Sequence, residues 1–111
     1  MAGIFKAYDI RGVYGVDLTE ETAYRIGRAF VTFLGRSCRK VVVGRDIRPH
    51  SEPLFAALAR GITEQGADVI DLGWCSSPMS YHANGKLGAD ASVMITASHN
   101  PGEWNGFKLC R

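Results

Sequence analysis

Long apolar runs, a secretory signal and a strong net charge are all missing from this chain of 111 residues. No stretch approaches the roughly 20 consecutive apolar residues that a membrane-spanning helix needs. A net charge of +2 is too small to indicate binding to nucleic acid or to a membrane surface. The opening, residues 1–6, lacks the basic segment and apolar stretch of a secretory signal. We therefore expect a cytoplasmic protein that binds neither nucleic acid nor membrane.

Cysteine pairs are also missing, since Cys38, Cys75 and Cys110 are far apart and form no C-x-x-C motif. An odd, widely spaced set is typical of reduced thiols in the cytoplasm. No histidine lies near them at ligand spacing, which argues against a metal site built from cysteine. The length suffices for one domain and no more.

What the chain does contain is an alternation of short β-branched runs with segments of helical periodicity. The predicted strands are 4–8, 41–43, 68–72, 92–96 and 107–110. The predicted helices run from the N-cap Thr19 to Gly35, from about Glu52 to Gly66, and over 78–87. The order β-α-β-α-β-α-β-turn-β predicts a three-layer α/β/α fold with a mostly parallel mixed sheet. Asn105-Gly106 is typical of a tight turn, so the last strand should be antiparallel to its predecessor.

Polar residues cluster where the predicted strands end. Loops at the carboxyl ends of parallel strands form the usual ligand sites of such sheets, and here they would carry residues 9–12, 44–46 and 97–100. The apolar run 92–95 turns abruptly polar at Thr96-Ala97-Ser98-His99-Asn100-Pro101. Composition alone favours a plain polar turn here over a nucleophile. A serine hydrolase is disfavoured, because the G-x-S-x-G elbow is missing and adjacent side chains such as Ser98 and His99 rarely face each other.

Four motifs in this order resemble one enzyme family, the α-D-phosphohexomutases. The stretch 92–101 is similar to their phosphoserine signature. The other three are Phe5-Lys6-Ala7-Tyr8-Asp9-Ile10-Arg11-Gly12, Gly44-Arg45-Asp46-Ile47-Arg48 and Asn105-Gly106-Phe107-Lys108. The opening motif favours the bacterial phosphomannomutase/phosphoglucomutase branch. One such motif would be weak, but four collinear ones cover essentially the whole chain.

The resemblance implies an activity and a phosphoryl carrier. Enzymes of this family interconvert hexose 1-phosphates and hexose 6-phosphates through hexose 1,6-bisphosphate. Ser98 matches the serine that carries the phosphoryl group, and its phosphate would be one ligand of a Mg²⁺ ion that aspartates of a later domain also bind. Such chemistry depends on in-line positioning and on neutralising spread negative charge.

The resemblance also implies roles for four neighbours of that serine. Lys108 matches the general acid/base for the sugar hydroxyl, and Arg11 matches a residue close to the phosphoserine. Tyr8, Arg11 and Lys108 would contact the substrate. His99 would assist proton movement or orientation, or else only shape the loop. Outside this set, we expect Arg45 and Asp46 to pair with each other, and His50 to lie at a helix end or on the surface.

Family members have four domains, so the resemblance makes residues 1–111 an incomplete, C-terminally truncated first domain. We expect the isolated chain to be inactive. We also expect it to self-associate if its last strand leaves an exposed edge, or if the lack of the family's further helix after that strand leaves apolar surface bare. The alternative is a module that binds phosphosugars or a partner protein without catalysis.

Overall fold

Five strands and two helices make up the part of the chain that the computed structural model describes, residues 7–35, 39–74, 90–96 and 102–110. They are β1 (Ala7–Val13), α1 (Glu20–Leu34), β2 (Lys40–Arg45), α2 (Ser51–Glu64), β3 (Asp68–Trp74), β4 (Ala91–Ile95) and β5 (Trp104–Cys110). The predicted third helix, 78–87, lies outside the described residues. Neither α1 nor α2 is long and apolar enough to cross a membrane.

The strands form one mixed sheet in the order β1-β5-β4-β2-β3. β2 is parallel to β3 and to β4, whereas β5 is antiparallel to both of its neighbours, β4 and β1. Four of the five described strands therefore run in one direction. This confirms the predicted α/β class with a mostly parallel mixed sheet, and the antiparallel orientation of the last strand.

The position of β5 corrects the prediction of an exposed C-terminal edge. β5 lies inside the sheet, because β1 pairs with it along seven residues on the side away from β4. This long-range pairing joins the two ends of the chain and has no local sequence signal. Self-association through an exposed last strand has therefore lost its structural basis.

The bounds of β1 and β5 differ from the prediction. The segment 9–12, expected in a loop, lies within β1, and Asn105-Gly106, expected to form a turn, lies within β5. Arg11 pairs with Gly106, and Gly12 pairs with Asn105. A β-carbon on Gly106 would lie 2.3 Å from the carbonyl oxygen of Ile10. The glycine therefore serves a close strand approach rather than a turn.

Helix α1 begins and ends where its sequence signals predict. The Thr19 side chain accepts a hydrogen bond from the Thr22 backbone N–H at 3.2 Å, and Gly35 follows the helix with φ of 88°. Both are standard devices for ending the backbone hydrogen-bond ladder. The Phe33 side chain faces outward from α1, with 54% of its surface exposed.

The two helices pack closely against each other over one face of the sheet. A β-carbon on Gly27 would lie 2.4 Å from the Leu58 carbonyl oxygen, and one on Gly61 would lie 2.2 Å from the Tyr24 carbonyl oxygen. Only glycine permits this backbone approach. Beneath the helices lies an apolar core that includes Phe30, Leu54, Leu58, Ile62, Val41, Val43, Val93, Ile95, Phe107 and Leu109.

Candidate active site

The pairing of β1 with β5 brings two predicted site residues together. Asp9 lies opposite Lys108, and Arg11 lies opposite Gly106. Because side chains alternate between the faces of a sheet, Arg11 and Lys108 share one face as diagonal neighbours on adjacent strands. Met94 of β4 flanks Lys108 on its other side. Lys108 thus lies next to β4, the strand that leads to the predicted serine loop, and Arg11 lies one strand further away on β1.

Arg11 is oriented by a carboxylate on the same strand. Its Nε and Nη2 atoms donate to Asp9 Oδ1 and Oδ2 at 3.1 and 2.9 Å. The Asp9 hydrogen bond, and then the Asp9 charge, raise the pKa of Arg11, so the guanidinium stays charged. The pair is too exposed to add much stability. The pair fixes the direction of the guanidinium, and 35% of the Arg11 side-chain surface remains exposed.

Three other predicted site residues are described incompletely or not at all. Ser98 and His99 lie outside the described residues, and Tyr8 is described only by its place in β1, opposite Leu109. The described flanks of the serine loop are well held. The Thr96 N–H donates to the Gly106 carbonyl at 2.9 Å, and the Tyr14 N–H donates to the Glu103 carbonyl at 2.9 Å.

A polar cluster, which we call the Asn105 cluster, joins the start of α2 to the start of β5. It consists of Asp46, His50, Ser51 and Asn105. The Ser51 hydroxyl donates to Asp46 Oδ1 at 2.7 Å, and Asn105 Nδ2 lies 2.9 Å from Ser51 Oγ and 2.8 Å from His50 Nδ1. His50 Nε2 lies 2.9 Å from the carbonyl oxygen of Gly102. Asn105 and Ser51 are fully buried.

Two neighbours reinforce the Asn105 cluster. The Tyr14 ring stacks on the His50 ring with centroids 4.8 Å apart, and Arg48 Nη1 donates to the Trp104 carbonyl at 2.6 Å. A hydrogen bond to Glu20, then burial, raises the pKa of the Tyr14 hydroxyl, which keeps it protonated. Sequence reasoning assigned His50 to a helix end, and it does precede α2, but it missed these contacts. Asparagine is uncommon within strands, so once residue 105 is assigned to β5 its presence there indicates a specific contact.

The prediction that Arg45 and Asp46 pair with each other is wrong. Arg45 binds Glu52 at 2.7 Å and Asp71 at 2.6 Å, and its guanidinium lies 4.3 Å from the centre of the Phe55 ring. Arg45 ends a strand that lies beside β3 and under α2, so carboxylates from those elements reach it first. Asp46 instead accepts from the Arg48 N–H and the Ser51 hydroxyl.

Burial and hydrogen bonding act in opposite directions on the Arg45–Asp71 pair. Burial raises the pKa of Asp71, but hydrogen bonds from Arg45 and from the Gly73 N–H outweigh it, and the pKa is lowered. Burial lowers the pKa of Arg45, but its two carboxylate partners raise it by a larger amount, so the pKa is raised overall. Both groups therefore stay charged and brace the end of β2.

Metal ligands are not grouped in the described part of the chain. Within residues 7–35, 39–74, 90–96 and 102–110, no three His, Cys, Asp or Glu side chains come together as a metal site. These residues do not by themselves fit the predicted Mg²⁺.

The family model and the individual relatives that match this chain agree on one family. Residues 2–111 match the family model described as phosphoglucomutase/phosphomannomutase, alpha/beta/alpha domain I. A phosphomannomutase from Klebsiella pneumoniae is 51% identical over 107 residues, covering 96% of this chain and 67% of that protein. The phosphomannomutase/phosphoglucomutase of Pseudomonas aeruginosa is 47% identical over 109 residues, covering 97% of this chain and 24% of that protein.

The fold comparison agrees. A crystal structure of a phosphoglucomutase/phosphomannomutase family protein from Burkholderia thailandensis superposes with a TM-score of 0.85 at 40% identity, over 95% of this chain and 25% of that one. The chain thus spans about a quarter of the length of this structure and of the Pseudomonas relative. Sequence, fold and the order of the four motifs agree, and the chain belongs to the phosphoglucomutase/phosphomannomutase family, matching its α/β/α domain I.

Proposed function

We propose that this chain is the phosphoserine-bearing part of a phosphohexomutase, which interconverts hexose 1-phosphates and hexose 6-phosphates of mannose or glucose through hexose 1,6-bisphosphate. Family membership supports the reaction class. One observation carries the assignment to this part of the molecule. Arg11 and Lys108 share a sheet face, and Lys108 lies beside β4, the strand that precedes Ser98 by three residues.

In the proposed reaction, the bond between Ser98 Oγ and phosphorus breaks while a bond forms between phosphorus and a sugar hydroxyl oxygen. The hydroxyl proton passes to a base, for which Lys108 in its neutral form is the candidate. Ser98 Oγ takes up a proton as its bond to phosphorus breaks, and the reverse step reverses both proton transfers. Arg11 stays charged because of Asp9, and a fixed cation stabilises the charge spread over the transferring phosphoryl oxygens. His99 would orient the phosphoryl group or assist proton movement, and Tyr8 would contact the sugar.

Mg²⁺ belongs to this proposal as well. A bound Mg²⁺ would neutralise charge on the phosphoryl group. The contribution of this chain would be the Ser98 phosphate, with the remaining ligands supplied by parts of the longer relatives beyond the matched quarter. We also propose a cytoplasmic location, since hexose phosphates are charged and do not cross membranes unaided.

Phosphate uptake by Ser98 tests the proposal directly. The purified chain would be incubated with glucose 1,6-bisphosphate and Mg²⁺, and its intact mass measured. We expect a single phosphate adduct that fragmentation assigns to Ser98 and that the Ser98→Ala variant does not form. An adduct of equal yield in Ser98→Ala would overturn the assignment. Binding of hexose phosphate without any adduct would favour the alternative, a non-catalytic phosphosugar-binding module.

Turnover is a separate measurement. We propose that the cleft needs the regions that the longer relatives have in addition, so the 111-residue chain should show no mutase turnover in a coupled assay. Measurable conversion of glucose 1-phosphate to glucose 6-phosphate by this chain alone would contradict that requirement.

A further inference from the structure

The donors and acceptors of the Asn105 cluster permit only one arrangement of protons. The Gly106 N–H donates to the Asn105 side chain at 2.8 Å, so the atom that receives it is the amide oxygen. The other end of the amide is then the NH₂ group, which has donors only. It faces Ser51 Oγ and His50 Nδ1, and both must accept.

The same reasoning assigns the tautomer of His50. Its Nδ1 accepts from Asn105 and therefore carries no proton, while its Nε2 faces the Gly102 carbonyl oxygen, which can only accept. The imidazole is therefore neutral with its proton on Nε2. The Ser51 hydroxyl accepts a hydrogen bond from Asn105 and donates one to the Asp46 carboxylate. Every donor in the cluster thus has an acceptor.

The cluster connects segments that are far apart in the sequence. His50 and Ser51 lie at the start of α2, whereas Gly102 and Asn105 lie just before and within β5. The Gly106 N–H binds the Asn105 oxygen and the Gly106 carbonyl accepts from Thr96, which directly follows β4. The amide of Asn105 therefore holds both the entry of β5 and, through Gly106, the residue that follows β4.

We propose that Asn105 is a positioning residue. By holding His50 in the Nε2–H tautomer and by binding Ser51 and Gly106, its amide ties segment 102–106 to α2 and so sets the position of Lys108, two residues further along β5. The importance of Lys108 rests on the proposed function, but the hydrogen-bond arrangement does not. A buried amide with oxygen and nitrogen both used specifies one geometry, because any shift leaves a buried polar group unsatisfied.

The first test reads the tautomer in the unmodified chain. Two-bond ¹H–¹⁵N spectra at pH 7 should give a neutral Nε2–H pattern for His50, which the His50→Gln variant identifies by removing that signal. A neutral Nδ1–H pattern or a doubly protonated ring would overturn the proposal.

The second test inverts the polarity of residue 105. Asn105→Asp keeps the shape but replaces both N–H donors by an acceptor, so His50 Nδ1 should carry a proton instead of accepting one, and the His50 spectrum should change. Gln65→Glu is a matched control, since it makes the same change at an exposed amide that binds Arg28. An unchanged His50 spectrum in Asn105→Asp would contradict the proposal, as would an identical change in Gln65→Glu.

The third test asks whether the effect is local. In Asn105→Ala the amide proton of Gly106 should exchange about 10- to 100-fold faster, as expected for one lost buried hydrogen bond, while the amides of Val42 and Val43 keep their rates. Equal acceleration at all of these amides would mean general destabilisation and would overturn the positioning role. If Asn105→Ala does not fold, the milder His50→Gln replaces it, with the effect expected at Gly102 to Gly106.

Phosphate uptake then separates this inference from the proposed function. If Ser98 takes up phosphate, Asn105→Asp should do so at least about tenfold more slowly, whereas Gln65→Glu should match the unmodified chain. An equal rate in Asn105→Asp would overturn the positioning of the reactive groups. If the unmodified chain takes up no phosphate, the proposed function fails for this chain, while the spectra and exchange rates still decide the role of Asn105.

Discussion

The α1–α2 contact and the Asn105 cluster hold α2 to its neighbours by opposite means. The helices meet through Gly27 and Gly61, where backbone touches backbone and apolar side chains fill the space below. The Asn105 cluster contains a buried amide and a buried hydroxyl, each with a defined partner. The first contact depends on shape: its two glycines cannot be enlarged, whereas the apolar side chains below them can be exchanged for others of suitable volume. The second depends on hydrogen-bond polarity and tolerates almost no change of residue type.

The apolar contact therefore contributes mainly to the stability of the fold, whereas the polar cluster mainly determines where its residues are placed. Apolar packing contributes free energy in proportion to buried area but has little directionality. A satisfied polar network contributes a smaller net free energy, yet it distinguishes one geometry from its neighbours. Two of the predicted site residues lie close to the Asn105 cluster, since Arg11 pairs with Gly106 and Lys108 follows Asn105 by three residues in β5.

The largest effect should come from breaking the helix contact. Gly61→Ala inserts a β-carbon 2.2 Å from the Tyr24 carbonyl oxygen, and the backbone of α1 cannot move without repacking the core. We expect the free energy of unfolding to fall by about 3 kcal/mol, although alanine is the better helix former by about 1 kcal/mol. Urea unfolding followed by circular dichroism measures this.

Gly102→Ala is the control for that substitution, because a β-carbon there meets no atom within 4 Å. Its free energy of unfolding should change by less than about 0.5 kcal/mol. If Gly61→Ala proved as stable as the unmodified chain, the helices would not be in backbone contact, and the contrast between the two regions would disappear.

An intermediate effect should follow from breaking the polar cluster. Ser51→Ala removes the hydroxyl between Asp46 and Asn105, leaving a buried N–H of Asn105 without its acceptor. We expect a loss of about 2 kcal/mol in the free energy of unfolding. Thr32→Ala is the matched control, since it removes an exposed hydroxyl that binds the Arg28 carbonyl. Equal losses in the two variants would show that burial of the Ser51 hydroxyl is unimportant.

A smaller effect should come from the two helix starts, which also differ. Thr19 caps α1 with its side chain, whereas His50 makes no capping hydrogen bond to α2 and is committed to Asn105 instead. Thr19→Ala should lower the free energy of unfolding by about 1 kcal/mol, while Thr19→Ser should retain most of it. A loss as large in Thr19→Ser would attribute the effect to the methyl group rather than to the cap.

The sequence predicted the apolar region far better than the polar one. Helix α1, its cap at Thr19 and its stop at Gly35 follow from local signals, as do the central parallel strands. The pairing of β1 with β5 could not be derived, because strand partners are chosen by contacts between the two ends of the chain. Asn105-Gly106 has the chemistry of a turn, and this long-range pairing overrode that local preference.

The site divides in the same way. Resemblance identified Arg11 and Lys108, and the strand register brings them together on one face. Neither resemblance nor local pattern identified the contacts of His50, whose hydrogen-bond partners Asn105 and Gly102 lie more than 50 residues away in the sequence. A hydrogen-bond network of residues at 46, 50, 51 and 105 exists only once the sheet order is known. The partners of Arg45 were mistaken for the same reason.

The smallest expected effect is electrostatic and lies at the amino ends of β2 and β4, far from the Asn105 cluster. Asp90 Oδ2 accepts hydrogen bonds from the N–H groups of Arg39 and Lys40 at 2.7 and 3.0 Å, and these bonds lower the pKa of Asp90. A carboxyl group whose folded pKa lies below its unfolded value of about 3.9 stabilises the fold above that pH, and loses this contribution as the pH falls through the folded pKa.

Asp90→Asn should therefore lower the melting temperature at pH 7 and flatten its decline below about pH 4, since the amide keeps an acceptor but cannot titrate. Melting temperatures of both proteins between pH 2 and pH 7 measure this. The α1–α2 contact provides the contrast, because Gly61→Ala meets only backbone atoms and should lower the melting temperature by a similar amount across this range. Parallel curves for Asp90→Asn and the unmodified chain would mean that the charge of Asp90 does not hold the start of β2, leaving hydrogen-bond polarity important only at the Asn105 end of the sheet.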